Sequence, residues 1–202
     1  MNKIKEIIIG TNNTGKYKEI CSLLPKNIKK HSAKTFNISS PKETGKTFEK
    51  NSLIKASFFC KKTNFICLSD DSGLEIDILN GQPGIYSSRW AGEENNFNLA
   101  IKKIFKKLNS VKNEDWKNNC KARFVCCLTL FWPNGKIYKS KGVISGKISP
   151  QKKGKNGFGY DPIFIPDGYN KTFGEMNLAL KMSIDHRYKA FSKIKKFFFN
   201  TL

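Results

Sequence analysis

Phe65-Ile-Cys-Leu-Ser-Asp-Asp-Ser-Gly73 runs directly into Leu74-Glu-Ile-Asp-Ile78. The apolar run Phe65 to Leu68 reads as a short buried strand that ends at two adjacent carboxylates, Asp70 and Asp71. Leu74, Ile76 and Ile78 then alternate with Glu75 and Asp77, the period-two pattern of a half-exposed strand. Carboxylates at a strand end suit a hard metal ion. Two side by side repel each other, which destabilises the fold unless a cation or hydrogen-bond donors offset it. A turn carboxylate that only caps backbone N–H groups is the plainer alternative.

Upstream, a first strand is expected from about Ile4 to Gly10, then a loop, Thr11-Asn-Asn-Thr-Gly-Lys16. A helix follows with Tyr17, Ile20, Leu23 and Leu24 on one face and Pro25 after it. A weaker strand signal lies near Ile28 to Ala33. Thr47 opens a long helix to about Lys62, with Phe48, Ile54, Ser57 and Phe58 expected inward. Downstream, Gly81-Gln-Pro-Gly84 is a turn, and Phe97, Ala100, Ile101, Ile104, Phe105 and Leu108 have helical spacing. Ala122 to Trp132 and Lys136 to Ile144 read as a hairpin around Pro133-Asn-Gly135. A final helix is expected from about Ile184 to Phe199, its Phe197-Phe-Phe199 end being core or a subunit contact. The order predicts an α/β fold, a mixed sheet with helices on its faces.

The 202 residues fit one domain, 1–202. There is no run of 18 apolar residues and no leader core ahead of Ile7, so the chain is expected in the cytoplasm with no membrane partner. Its six cysteines form no C-x-x-C pair and read as free thiols. The formal charge of +21 comes from lysines spread over nearly every segment. That favours a solvated surface over a dedicated nucleic-acid site, although the field still attracts triphosphates.

Gly10-Thr-Asn-Asn-Thr-Gly-Lys16-Tyr17 nearly matches a P-loop, and Asp70-Asp71 mimics a Walker B carboxylate, so a P-loop-like NTPase is one reading. Tyr17 stands where magnesium needs a small hydroxyl. The looser reading is a helix N-terminus offering N–H groups to an anion, with Thr11, Asn12, Asn13 and Lys16 adding donors and charge. Gly157-Phe-Gly-Tyr-Asp-Pro162 is a glycine-flexed loop with two aromatic faces and a third carboxylate, suited to stacking a base. Glu43 is a further candidate for a metal oxygen. His31, in a lysine-rich stretch, reads as a surface residue; His186, beside Asp185 and Arg187, reads as surface or capping.

In this order the segments resemble the inosine/xanthosine triphosphate pyrophosphatase family. Thr11-Asn-Asn-Thr-Gly-Lys-Tyr-Lys-Glu19 is similar to its T-x-N-x-x-K-x-x-E. Glu43-Thr-Gly45 with Phe48, Asn51, Lys55 and Ala56 is similar to E-T-G…F-x-x-N-A-x-x-K-A. Ser69 to Leu74, Gly81 to Arg89, Ala91-Gly92, Gly157 to Phe164 and Lys181…His186-Arg187…Ala190 complete the likeness.

The resemblance implies an elongated mixed sheet forming two lobes around a central nucleotide-binding cleft, and a homodimer. It implies hydrolysis of ITP, dITP or XTP to the monophosphate and pyrophosphate with Mg2+. Asp71 would be the general base and a magnesium ligand, with Glu43 and Asp70 completing the metal set. Thr11, Asn12, Asn13, Thr14, Gly15, Lys16, Lys55 and Ser72 would hold phosphates. Phe158, with Gly159 and Tyr160, would stack on the base. Asp161, Lys181, His186 and Arg187 would close on base and sugar, Arg187 donating to the 6-oxo group. The chain departs from the pattern at Lys50 (a Glu in the family), Gly174 (Ala), Asp185 (Ser) and Tyr188 (a small residue), which leaves a catalytically degenerate member as an alternative.

Overall fold

The computed structural model describes residues 4–111 and 114–199. Its strands are β1 (Glu6–Ile9), β2 (Lys29–Ser32), β3 (Cys67–Ile76), β4 (Gln82–Pro83), β5 (Lys121–Phe131), β6 (Ile137–Ile148) and β7 (Phe164–Pro166). Its helices are α1 (Thr14–Leu23), α2 (Phe48–Thr63), α3 (Phe97–Ser110), α4 (Leu178–Ile184) and α5 (His186–Ser192). The sheet order is β2-β1-β3-β5-β6-β7, with β4 paired to β3. β1 is parallel to both β2 and β3, whereas β4 and β7 pair antiparallel with β3 and β6. The expected mixed α/β sheet is therefore present. The chain forms two compact units, one of residues 1–71, 126–142 and 187–202, the other of residues 72–125 and 143–186.

In the first unit β1 is covered on both faces, which is why Ile7-Ile-Ile9 is uniformly apolar. Ile7 and Ile9 pack with Leu68 and with Ile20 of α1 and Phe191 of α5. Ile8 points the other way and joins Cys67 with Ala56 and Phe59 of α2. This alternation decides where the paired carboxylates go. Successive side chains in a strand take opposite faces. Asp70 shares the parity of Leu68 and lies on the α1 and α5 side, while Asp71 shares that of Cys67 and lies on the α2 side.

The sequence places a strand end at these carboxylates; the structure instead runs β3 unbroken through them to Ile76. Burial on both sides, with charged partners supplied by helices, makes the acidic pair compatible with strand. The inward face of α2 also differs from expectation. Asn51, Ser52, Lys55, Ala56, Phe59 and Cys60 are buried, whereas Ile54, Ser57 and Phe58 are only half-buried. Asn51 and Lys55 turn inward because the groups they bond to are inside.

In the second unit, Leu74 and Ile76 pack with Ala100, Ile101, Ile104 and Leu108 of α3 and with Phe124, Phe164 and Phe173. The helix expected from about Ile184 to Phe199 is shorter: it starts at His186 and stops at Ser192, with a 3-10 turn at Lys195–Phe197 after it. Asp185 is extended (ψ 172°) and its N–H caps Lys181 O, so α4 stops at Ile184 and α5 starts afresh at His186. Of the three terminal phenylalanines, Phe198 is buried and Phe199 is exposed. No helix among the described residues is long and apolar enough to cross a membrane, and all six cysteines are free.

Candidate active site

The first unit carries a buried ionic network. Asp70 is fully buried, and its Oδ2 lies 3.1 Å from Arg187 Nη2 and 3.2 Å from Lys16 Nζ. Arg187, only 1% exposed, also donates from Nη1 to Glu19 of α1. On the opposite face, Lys55 Nζ pairs with Glu43 and sits 3.3 Å from Asp71 Oδ1. Asp71 Oδ2 has no hydrogen-bond partner among the described residues.

These neighbours separate two chemically identical carboxyls. Burial alone would raise Asp70, but Lys16, Arg187 and Lys55 outweigh it and hold it far below the ordinary 3.8. For Asp71 burial dominates. Lys55 and Lys16 pull it down, Glu43 and Asp70 push it up, and it ends above 3.8. Lys55 is pushed up to about 12: burial opposes its charge, and Asp71, Asp70 and Glu43 more than restore it. One carboxylate is thus locked as an anion among cations, and its neighbour is a stronger base than a free aspartate.

The Gly10–Lys16 segment is a capped helix start. Asn13 caps α1 by accepting from Lys16 N at 3.0 Å, and Thr11 Oγ1 accepts from Asn13 N at 3.2 Å. Thr14 is exposed at the first position of α1, and Gly15 and Lys16 fall in its first turn. Asn12 Nδ2 donates to Ile38 O. A Cβ at Gly10 would stand 2.0 Å from Ser69 Oγ, so glycine is needed where β1 leaves the sheet beside β3.

The second unit gathers the other expected residues. Gly157 and Gly159 have positive φ (73° and 68°), which wraps the loop around the Asp161 carboxylate. Asp161 Oδ2 accepts from Phe158 N at 2.8 Å and from Lys181 Nζ at 2.7 Å. The Lys181 ammonium lies 5.1 Å from the Phe158 ring centroid. Tyr160 is anchored by its hydroxyl on Ser87 O at 2.7 Å, edge-on to Phe97. His186 is 5% exposed and stacked on Phe124, with centroids 4.8 Å apart; the surface reading is therefore wrong for it. An imidazole carries enough apolar ring to be buried by stacking. His31 is likewise half-buried, stacked on Phe65 and bonded to Glu6. Ser72 is half-buried in β3.

The structure thus joins Glu43, Lys55 and Asp71, and separately Lys16, Asp70 and Arg187. It joins Phe158, Asp161 and Lys181 in the other unit. Asp70 is committed to cations, on the face of β3 away from Glu43. Glu19 and Asn51 join these networks as well, and their sequence signal is a polar residue at an inward helix position. Of the departures, Lys50 is exposed, off the inward face of α2, and Tyr188 is exposed. Asp185 is buried at the break between α4 and α5. Gly174 is explained by space, since a Cβ there would meet Lys153 O at 2.6 Å and Pro162 Cα at 2.9 Å.

Residues 7–197 match the model of the Ham1 family. A Bartonella quintana protein named dITP/XTP pyrophosphatase is 41% identical over 93% of this chain and 92% of its own. One of the same name from Rhodospirillum centenum is 39% identical over the same shares. The solved structure of a HAM1 protein from Coxiella burnetii superposes with a TM-score of 0.83 at 35% identity, covering 95% of this chain and 96% of that one. The chain belongs to the Ham1 family.

Proposed function

We infer that this chain hydrolyses deaminated purine nucleoside triphosphates (ITP, dITP, XTP) to the monophosphate and pyrophosphate. The relatives' names support the substrate class. The observation that carries the chemistry is the Glu43–Lys55–Asp71 cluster, with a raised Asp71 carboxyl whose Oδ2 has no hydrogen-bond partner among the described residues.

A hard divalent ion fits this donor set. Magnesium prefers one or two carboxylates and takes its other ligands from phosphates and water. Among the described residues no cluster of three or more His, Cys, Asp or Glu offers a metal cage, which suits an ion that arrives with a triphosphate. Asp71 and Glu43 would hold it; Asp70, neutralised by Lys16 and Arg187, stays outside the set. The ion supplies neutralisation of phosphate charge and acidification of water.

The chain's own groups do the rest. Asp71 takes the proton of the attacking water. Its raised carboxyl accepts that proton better than an ordinary aspartate. Lys16 and Lys55 neutralise phosphate oxygens, and the N-terminus of α1, with Thr11, Asn12, Asn13, Thr14, Gly15 and Ser72, donates to others. Phe158, braced by Gly159 and Tyr160, stacks on the base. Asp161 and Lys181 present a fixed acceptor and donor to base and sugar, joined by His186. Arg187, oriented by Glu19 and Asp70, donates to the 6-oxo group. A 6-amino purine facing that donor leaves it unmatched, at a cost of about 1–3 kcal/mol.

We further propose that residues 1–202 act as one functional domain, since β3, β5 and β6 contribute to both units. The family resemblance supports a homodimer, and the free thiols support a cytoplasmic place. The test is pyrophosphate release from ITP, dITP, XTP, ATP and GTP with magnesium. Release from the deaminated substrates alone, lost in Asp71→Asn, is expected. Orthophosphate as product, or equal use of ATP, overturns the reading.

A further inference from the structure

We propose that Asn51 is a positioning residue that sets the Glu43 carboxylate by latching Gly45; this rests on the roles of Glu43 and Asp71 proposed above. Asn51 is fully buried on α2, one turn before Lys55 and on the same inward face. Its Oδ1 accepts from Gly45 N at 2.8 Å, tying the segment that carries Glu43 to the helix that carries Lys55. The opposite amide orientation would bring two donors together, which fixes the assignment.

Its Nδ2 has no hydrogen-bond partner among the described residues. A core position that needed only volume would hold an apolar residue and avoid that loss. Gly45 completes the fit. A Cβ there would stand 2.6 Å from Asn51 Oδ1 and 2.7 Å from Lys50 Cβ, so only glycine lets the segment lie this close to α2. Glu43 is two residues from the latched amide and reaches Lys55 Nζ, which also faces Asp71 Oδ1. Release of Gly45 frees the backbone that aims the Glu43 carboxylate and leaves Lys55 and Asp71 in place.

The test uses Asn51→Leu, which keeps volume and removes the acceptor, and Asn51→Asp, which keeps the acceptor. Hydrogen exchange at Gly45 is expected to lose protection in the Leu variant and keep it in the Asp variant. Asn51→Leu should lower kcat/KM for pyrophosphate release from ITP about tenfold. It should also weaken Mn2+ binding followed by spin resonance. In a Glu43→Gln background the same substitution should change each by less than about twofold, because its route to the site is gone. Unchanged Gly45 protection, or a full effect in the Glu43→Gln background, overturns the proposal. If Asn51→Leu does not fold, Gly45→Ala breaks the latch from the other side and is read the same way. If the wild type releases no pyrophosphate, the functional reading fails by itself, and exchange with Mn2+ binding decides the latch.

Discussion

The two units bury their polar groups differently. The first holds Glu19, Lys55, Asp70, Asp71 and Arg187 in its interior, with Lys16 at the edge. The second buries the ion pair Asp161–Lys181 and, with it, Asp185 and His186, the latter stacked on Phe124. A unit that must handle a polyphosphate and a metal needs dense, opposed charge. A unit that must hold a flat base needs faces and a few fixed donors and acceptors. Apart from Arg187, proposed above as the donor to the 6-oxo group, substitutions in the first unit should therefore act on turnover and stability, and in the second on KM and selectivity.

The largest effect tests the sharpest part of that contrast. Asp71→Asn should lower kcat about 10³-fold, the range for losing a general base. It should not lower stability at pH 7. The Asp71 carboxyl is raised, so its ionisation opposes folding as pH climbs through the raised value, and the amide removes that penalty. A dead enzyme with an unchanged or higher unfolding midpoint in urea is expected. Equal loss of both would make Asp71 structural.

Next comes the other face of β3. Arg187→Met leaves Asp70 and Glu19 buried without their shared cation, a loss of about 3–5 kcal/mol in denaturant unfolding. Asp70→Asn should also destabilise, with the opposite pH signature to Asp71→Asn. Asp70 is held below 3.8, so its stabilisation is present above that value and fades as pH falls through it. The gap between wild type and Asp70→Asn should shrink below about pH 4. A constant gap would mean that the loss is one of packing.

In the second unit, Phe158→Ala should raise KM for ITP by the loss of one stacking face, about 1–3 kcal/mol, with kcat nearly kept. Phe158→Trp should restore it. A fall in kcat alone would erase the proposed division between the units.

Much of this arrangement was legible in the sequence because it rests on local rules. Ile7-Ile-Ile9 followed by a capped helix, the alternation of Leu74 and Ile76, and the α3 spacing are short-range patterns, and the structure keeps them. What was not legible depends on distant partners. Asp70 and Asp71 look like a strand end until Arg187, Lys16 and Lys55 neutralise them from three helices. The inward turn of Asn51 and Lys55 shows only once Gly45, Glu43 and Asp71 are in place, since the spacing points to Ile54, Ser57 and Phe58 instead. His186 looks exposed until Phe124 supplies a ring. The cause is shared: where a polar side chain points depends on a partner far away in the chain, which no local pattern carries.

The smallest expected effect checks that the contrast lies in the interiors and not in the +21 surface charge. Each unit has exposed ion pairs of similar geometry. Lys139 meets Glu49 at 3.0 Å in the first, and Arg123 meets Glu75 at 2.6 Å and Asp77 at 3.7 Å in the second. Their side chains are 37–57% and 22–52% exposed, so water and salt screen both sets. Glu49→Gln and Glu75→Gln should each change unfolding free energy by less than about 1 kcal/mol. Raising the salt to about 1 M should shrink both differences, since the screening length falls to about 3 Å. The Arg187→Met loss should survive the same salt, because ions do not reach a side chain only 1% exposed. If Glu75→Gln instead matched Arg187→Met, the second unit would depend on charge as much as the first, and its assignment to base recognition would lose its physical ground.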